Sequence, residues 1–217
     1  MAKMRLLMRK EGLSKYISHL DLMRTMRRAF SRADIPLRHS EGFNPHPVMA
    51  FALPLSVCHE SGCELLDFEP TASVDASALK RLCMSLPEGL DVLEIYNSGR
   101  KFSQIRWLEV KCALHYPAKM PDNAVSALER HFASGPLIVR KRTKRGEAEI
   151  DILPMIRRIS FAATADTVVV TALVSAQNPT LNPSGIVDAI SPLDGFAPDS
   201  ADFRRIEVFD EDLKIFR

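Results

Sequence analysis

Apolar and polar positions change period along this chain, and the changes mark its elements. Near the start, Met4, Leu6 and Met8 share one face of a strand while Arg5 and Arg9 stand opposite. Ser18 then opens a helix, its hydroxyl placed to cap free amides, with Asp21 following as a weak capping box. At about 100° per residue, Leu22, Met23, Met26, Ala29, Phe30 and Ala33 gather on one arc. Arg24, Arg27, Arg28 and Arg32 fall on the other. The pattern predicts an amphipathic helix with an arginine-only outer face, stopped by Asp34-Ile35-Pro36.

Residues 40–47 (SEGFNPHP) form a loop. A strand at 48–55, a turn at Ser61-Gly62, a strand at 63–68, a helix at 75–85 and a strand at 90–96 follow. That order is β-α-β-β-α-β, the split arrangement of a ferredoxin-like domain. The second half repeats it. A strand at 107–116 precedes a helix at 122–132 and a strand at 137–142. Residues 149–153 read as a short strand or part of a long excursion. A strand at 167–174, a short helix from the 182–184 cap to Ile190, and a strand at 203–209 complete the order. The expected fold class is α+β, two ferredoxin-like βαββαβ halves in tandem. Their boundary falls in the Ser/Gly/basic stretch 97–102, giving domains 1–99 and 100–217.

Composition narrows the class. The chain has 217 residues, 46% of them hydrophobic and 26% charged, which excludes disorder, collagen and coiled coil. No apolar run approaches the roughly 18 residues that span a bilayer, and the first residues lack a signal-peptide pattern. A cytoplasmic protein without membrane contact is expected. Cys58, Cys63, Cys83 and Cys112 fit reduced thiols better than a disulfide framework. Phosphate-loop, dinucleotide and nucleophile-elbow patterns are missing, as is the C-x3-C-x2-C of a radical-SAM iron–sulfur cluster. The spacing Cys58-x4-Cys63 is too loose for a metal site by itself. No metal and no cofactor are expected.

Net charge is only +2, so the placement of charge matters more than its sum. Two concentrations are one-signed: the arginine face of the first helix, and Arg140-Lys141-Arg142-Thr143-Lys144-Arg145. Guanidinium forks match phosphate oxygens, and clustered arginines attract a polyanion; the alternative is ordinary solvated charge, with Glu147, Glu149 and Asp151 neutralising the second patch. In the loop, Gly42, Pro45 and Pro47 restrict the backbone and fix the directions of Phe43, Asn44 and His46. Phe43 and Phe102 stand in polar surroundings where a base can stack. The loop's other reading is a crossover that blunts a sheet edge. His46 is the foremost titrating group, and His19 is its candidate acid–base partner, although a buried or capping role suits His19 better.

Ser18-His19-Leu20-Asp21-Leu22-Met23-Arg24 with Arg27, Arg28 and Ala29, then SEGFNPHP, then Phe51-Ala52-Leu53-Pro54-Leu55, resemble the bacterial radical-SAM-linked domain of unknown function. Glu149-Ile150-Asp151-Ile152 also fits, and Cys58-His59 departs from it. The resemblance implies a standalone partner of a separate radical-SAM enzyme. In general plan the doubled motif is also similar to CRISPR repeat-processing endoribonucleases, a likeness of fold only.

Three functions are in view. The first is a non-catalytic RNA-binding or substrate-presenting accessory protein for tRNA or rRNA, working with a radical-SAM modification enzyme. Arg24, Arg28, Arg140, Arg142 and Arg145 hold phosphates in this reading, while Phe43, Asn44 and His46 contact a base or the enzyme. The second is a metal-independent ribonuclease or RNA-modifying enzyme using His46 and His19 as catalytic acid and base. The third is a protein–protein adaptor whose loop docks on the radical-SAM enzyme.

Overall fold

The computed structural model describes residues 3–116, 120–143 and 146–217. The fold is α+β and divides into two compact units, residues 1–102 with Arg217, and residues 103–216.

In the first unit, β1 (Met4–Lys10) lies between β3 (His59–Phe68) and β4 (Leu90–Asn97), and β2 (Met49–Phe51) pairs with β3 on its other side. All three pairings are antiparallel, giving the order β4-β1-β3-β2. Leu6 faces Leu66 and Ile95 in register, which sets one apolar layer across the sheet. Onto it pack α1 (His19–Arg32) and α2 (Ala76–Met84). The core joins Leu6, Met8, Leu66 and Phe68 to Leu22, Met26, Phe30 and Leu82. The Phe30 and Phe68 rings meet with centroids 4.8 Å apart.

The predicted arc of α1 is the buried one. Ser18 caps it, accepting the Asp21 amide at 3.2 Å. Its end is set before the proline: Asp34 takes a left-handed φ of 53°, and the Ile35 amide reaches back to the Phe30 carbonyl at 3.0 Å.

One residue of β1 departs from the pattern. Arg5, expected opposite the apolar face, is 0% exposed, and Asp67 on β3 is 2% exposed. Register sets the two side by side. Arg5 Nε donates to Asp67 Oδ1 at 2.7 Å and one terminal nitrogen to Oδ2 at 3.1 Å. The same nitrogen donates to Ser98 Oγ and the Arg100 carbonyl, and Lys3 Nζ lies 2.8 Å from Oδ2.

In the second unit, β5 (Trp107–His115) lies between β10 (Ser200–Phe209) and β9 (Thr167–Ser175), with β8 (Ile156–Ala163) beyond β9. Every pairing is antiparallel. Val110, Cys112 and Leu114 alternate with exposed or half-buried positions on β5, and Val168, Val170 and Ala172 do so on β9. The helices are α3 (Ala124–Ala133) and α4 (Ser184–Ile190). Phe132 of α3 packs on Phe161 of β8, ring centroids 5.3 Å apart.

Two expectations about this unit need correction. Among the described residues the 137–142 strand is not a member of the larger sheet: β6 (Ile138–Thr143) pairs with β7 (Gly146–Asp151) as a separate two-stranded hairpin. The strand beside β9 is β8, which the periodicity does not predict. A register shift between Ile156 and Arg158, with Arg157 and Arg158 exposed, breaks its alternation. In the first unit, the strand expected over 48–55 is confined to Met49–Phe51, and Pro54 stands beyond its end.

Candidate nucleic-acid interface

The outer face of α1 is less uniformly positive than its sequence implies. Arg24 donates to Asp21 Oδ1 at 2.9 Å. Asp21 is held below the usual carboxylate range, first by the Ser18 hydroxyl and then by Arg24. Arg32 donates to the Ser85 carbonyl at 3.0 Å, satisfying the end of α2. Arg27 is half-buried. Arg28 is exposed and has no hydrogen-bond or ion-pair partner among the described residues, which leaves its guanidinium open to an incoming anion.

The 40–47 loop is closed across its neck. The Val48 amide donates to the Arg38 carbonyl at 2.7 Å and the Ser40 amide to the His46 carbonyl at 2.9 Å. The Ser40 hydroxyl accepts the His46 amide at 3.2 Å and shares a hydrogen bond with His46 Nδ1 at 2.9 Å. Arg38 is ion-paired with Glu69 at the base, and that hydrogen bond raises the arginine's pKa and lowers the carboxylate's. Stiffness thus comes from a side-chain closure as well as from the two prolines. Gly42 takes φ +120°, a region that favours glycine, and turns the tip. Beyond it Phe43 is 112% exposed, and Asn44 is exposed beside it.

His46 and His19 have separate surroundings. The His46 ring is engaged by Ser40, whereas His19, in the first turn of α1, sets its ring edge against Phe51 at 5.8 Å and 73°. No hydrogen bond joins the two rings among the described residues. Phe102, expected to be open to a base, instead covers Arg5, with the guanidinium carbon 4.4 Å from the ring centroid. Cys58 is exposed and Cys63 buried. Among the described residues no group of three or more His, Cys, Asp or Glu side chains is placed to hold a metal ion.

On the hairpin of the second unit, basic and acidic positions alternate across the ladder. Arg140 stands opposite Glu149 and Arg142 opposite Glu147. The Arg140 Nε to Glu149 Oε1 distance is 3.7 Å, a loose pair. Arg145 lies outside the described residues. In sequence these arginines form one basic run, but the antiparallel register mixes the two signs.

Sequence reasoning missed a cavity of about 270 Å³ between this hairpin and α4, lined in part by Arg140 and Asp188. Its apolar lining comes from both strands and from the loop before α4, so only the folded order of elements reveals it. Asp188 is exposed as a residue, and its partial burial at the cavity raises its carboxyl above the ordinary value.

Among the described residues no helix is long and apolar enough to cross a membrane. No curated protein matches the chain. Its fold is similar to a chain of the crystal structure of a Cbf5-Nop10-Gar1 complex, with TM-score 0.55 and 13% identity over 96% of this chain. The match covers 50% of that chain, so this protein spans half its length. An unknown protein from Galdieria sulphuraria aligns over 94% of this chain and 96% of its own, with TM-score 0.27 and 11% identity. Thermus thermophilus Cse3, in a structure bound to an RNA representing a pre-cleavage complex, aligns over 93% and 98%, with TM-score 0.20 and 15% identity. The first likeness is one of fold. The family model of an uncharacterized protein conserved in bacteria, DUF2344, matches residues 3–183, most of the chain, and the protein belongs to that family.

Proposed function

We propose that this protein is an RNA-binding or substrate-presenting accessory protein for tRNA or rRNA, acting with a separate radical-SAM modification enzyme in the cytoplasm. The observation that carries this reading is Phe43. A fully exposed aromatic ring on a loop closed by Ser40 and His46 offers a ready stacking face, and little ordering entropy is lost when a base lands on it. Arg28 supplies a guanidinium for phosphate, and Arg24 joins it by exchanging Asp21 for a phosphate oxygen. Asn44 and His46 contact the base edge or the enzyme. On the hairpin, Arg140, Arg142 and Arg145 are secondary contacts, because the first two stand opposite glutamates in register. The radical-SAM partnership rests on the SHLDLMR and SEGFNPHP resemblance. The strand orders β4-β1-β3-β2 and β10-β5-β9-β8 support reading both units as ferredoxin-like βαββαβ halves, the second interrupted by the β6–β7 hairpin.

The test is a titration of full-length protein with tRNA and rRNA fragments across a range of salt. Log affinity should fall linearly with log salt, and Arg24→Ala with Arg28→Ala should flatten the slope by about 0.7–0.9 for each phosphate no longer neutralised. Phe43→Ala should weaken binding roughly 5- to 150-fold while leaving the slope unchanged, as expected for a stacked base. Salt-independent affinity, or a Phe43→Ala variant that binds like the parent, removes the RNA reading. Retention of a radical-SAM enzyme on the immobilised protein after nuclease treatment and in high salt would instead favour a direct protein adaptor.

A further inference from the structure

The cavity behind the hairpin is a built feature of the second unit. Asp151 Oδ1 accepts the Leu137 amide at 2.9 Å and the Leu153 amide at 3.0 Å, and the Ile152 amide donates to the Leu137 carbonyl at 2.9 Å. These bonds pin the open end of the hairpin, so the space between it and α4 is present before any ligand arrives. On the far side the chain is close-packed: a Cβ at Gly185 would meet Leu181 Cδ1 at 3.0 Å.

Three properties narrow the occupant. Its volume, about 270 Å³, falls just below the about 300–1,000 Å³ typical of ligand pockets, enough for a single ring system with a short polar extension. Val139, Ile150, Ile152 and Leu181 line it beside the polar Thr180, Asn182 and Ser184, and the apolar side chains suit the faces of a flat ring. Asp188 then supplies a carboxylate with no hydrogen-bond or ion-pair partner among the described residues. Asp188 is exposed and an ionised carboxylate only accepts, so a ligand that replaces the water on its two oxygens must offer two neighbouring N–H donors. Of the common bases, guanine alone presents such a pair on its pairing edge, at N1 and at the 2-amino group; adenine, cytosine and uracil each present a single donor group there. Arg140, at the same cavity and only loosely held by Glu149, adds a cation for phosphate.

We propose that this cavity binds a guanine nucleotide, with the Asp188 carboxylate accepting N1–H and the 2-amino group, the apolar side chains covering the ring, and Arg140 meeting the phosphate. The site belongs to the second unit and stands independently of the 40–47 loop. A free mononucleotide and a guanine extruded from single-stranded RNA share this chemistry.

The experiment titrates the full-length protein with 5′-GMP, guanosine, AMP and UMP, following the methyl resonances of Ile150 and Ile152 and the heat of binding. GMP should move those methyls and bind at least tenfold more tightly than AMP or UMP, the discrimination expected of a bidentate pair. Asp188→Asn, at an exposed position, should cost GMP about tenfold or more and erase the preference. Arg140→Gln should weaken GMP while leaving guanosine unchanged. A hexanucleotide containing one guanine separates the sources: tighter binding than GMP, with the same methyls moving, assigns the site to RNA, and binding no tighter assigns it to the free nucleotide. The proposal is overturned if the methyls do not respond at millimolar GMP, if all four ligands bind alike, or if Asp188→Asn has no effect. None of these readouts depends on the salt slope that tests the 40–47 loop, so either idea can fail alone.

Discussion

Replacing Asp67 by alanine tests how the first unit is held together. The carboxylate is 2% exposed and both of its oxygens are engaged, Oδ1 by Arg5 Nε at 2.7 Å and Oδ2 by an Arg5 terminal nitrogen at 3.1 Å and Lys3 Nζ at 2.8 Å. Lys3 is about half-exposed and can turn to water when the carboxylate goes. Arg5 cannot, because β1 places it at 0% exposure beneath the Phe102 ring. What stays behind is a buried guanidinium that has lost both of its bonds to this carboxylate and keeps those to Ser98 Oγ and the Arg100 carbonyl. Removing one partner of a buried ion pair costs about 3–5 kcal/mol. Denaturant titration followed by circular dichroism, extrapolated linearly to water, should show a loss of that size for Asp67→Ala. Added salt should change it little, since a buried pair is weakly screened. Combining Arg5→Met with Asp67→Leu should restore most of the stability, as both charges then leave together. A loss below about 1 kcal/mol for Asp67→Ala, or a double variant no better than the single one, would refute the reasoning.

Other consequences are simpler to check. Burial lowers the Lys10 pKa below 10.5 despite the nearby Glu64, so the folded state sheds that proton at lower pH than the unfolded chain does. The penalty is therefore full below the folded-state pKa and relieved as pH rises through it towards 10.5, and parent stability should climb relative to Lys10→Met across that window in denaturant titrations. Burial also pushes the Cys112 thiol up to about 12, and Cys63 is buried, so a thiol reagent should label Cys58 and Cys83 promptly in native protein and the other two only after unfolding. Gly89 has φ +83°, and a Cβ there would run into the Glu11 carbonyl oxygen, so Gly89→Ala should destabilise by about 1–3 kcal/mol in the same assay, with a neutral outcome counting against the backbone geometry.

What can be read from the chain follows the range of the interactions. Helix α1 is legible because its apolar arc, its Ser18 cap and its arginines all lie within a few turns of one another. Its stop differs in detail from the expected one, since Asp34 makes the left-handed turn before Pro36 acts. Strand β8 is hidden because a bulge and two exposed arginines interrupt the alternation that identifies a strand. Residues 138–143 do form a strand, but which strand they pair with is decided by a non-local contest that periodicity does not express. The same reason conceals the Arg5–Asp67 pair, whose members are 62 positions apart, and the opposition of Arg140 to Glu149 across the hairpin. Phe43 is legible as exposed because Gly42, Pro45 and Pro47 limit the backbone around it. The Ser40–His46 closure is not, since it depends on a side-chain rotamer.

The β6–β7 ladder closes upon itself, and β8, β9, β5 and β10 complete their pairing without it. The insertion therefore behaves as an interchangeable cartridge seated on a fixed chassis. Its length, its charges and its inner wall are free to change with no change of register in the main sheet, so the face it turns to α4 is decoupled from the scaffold's own pairing.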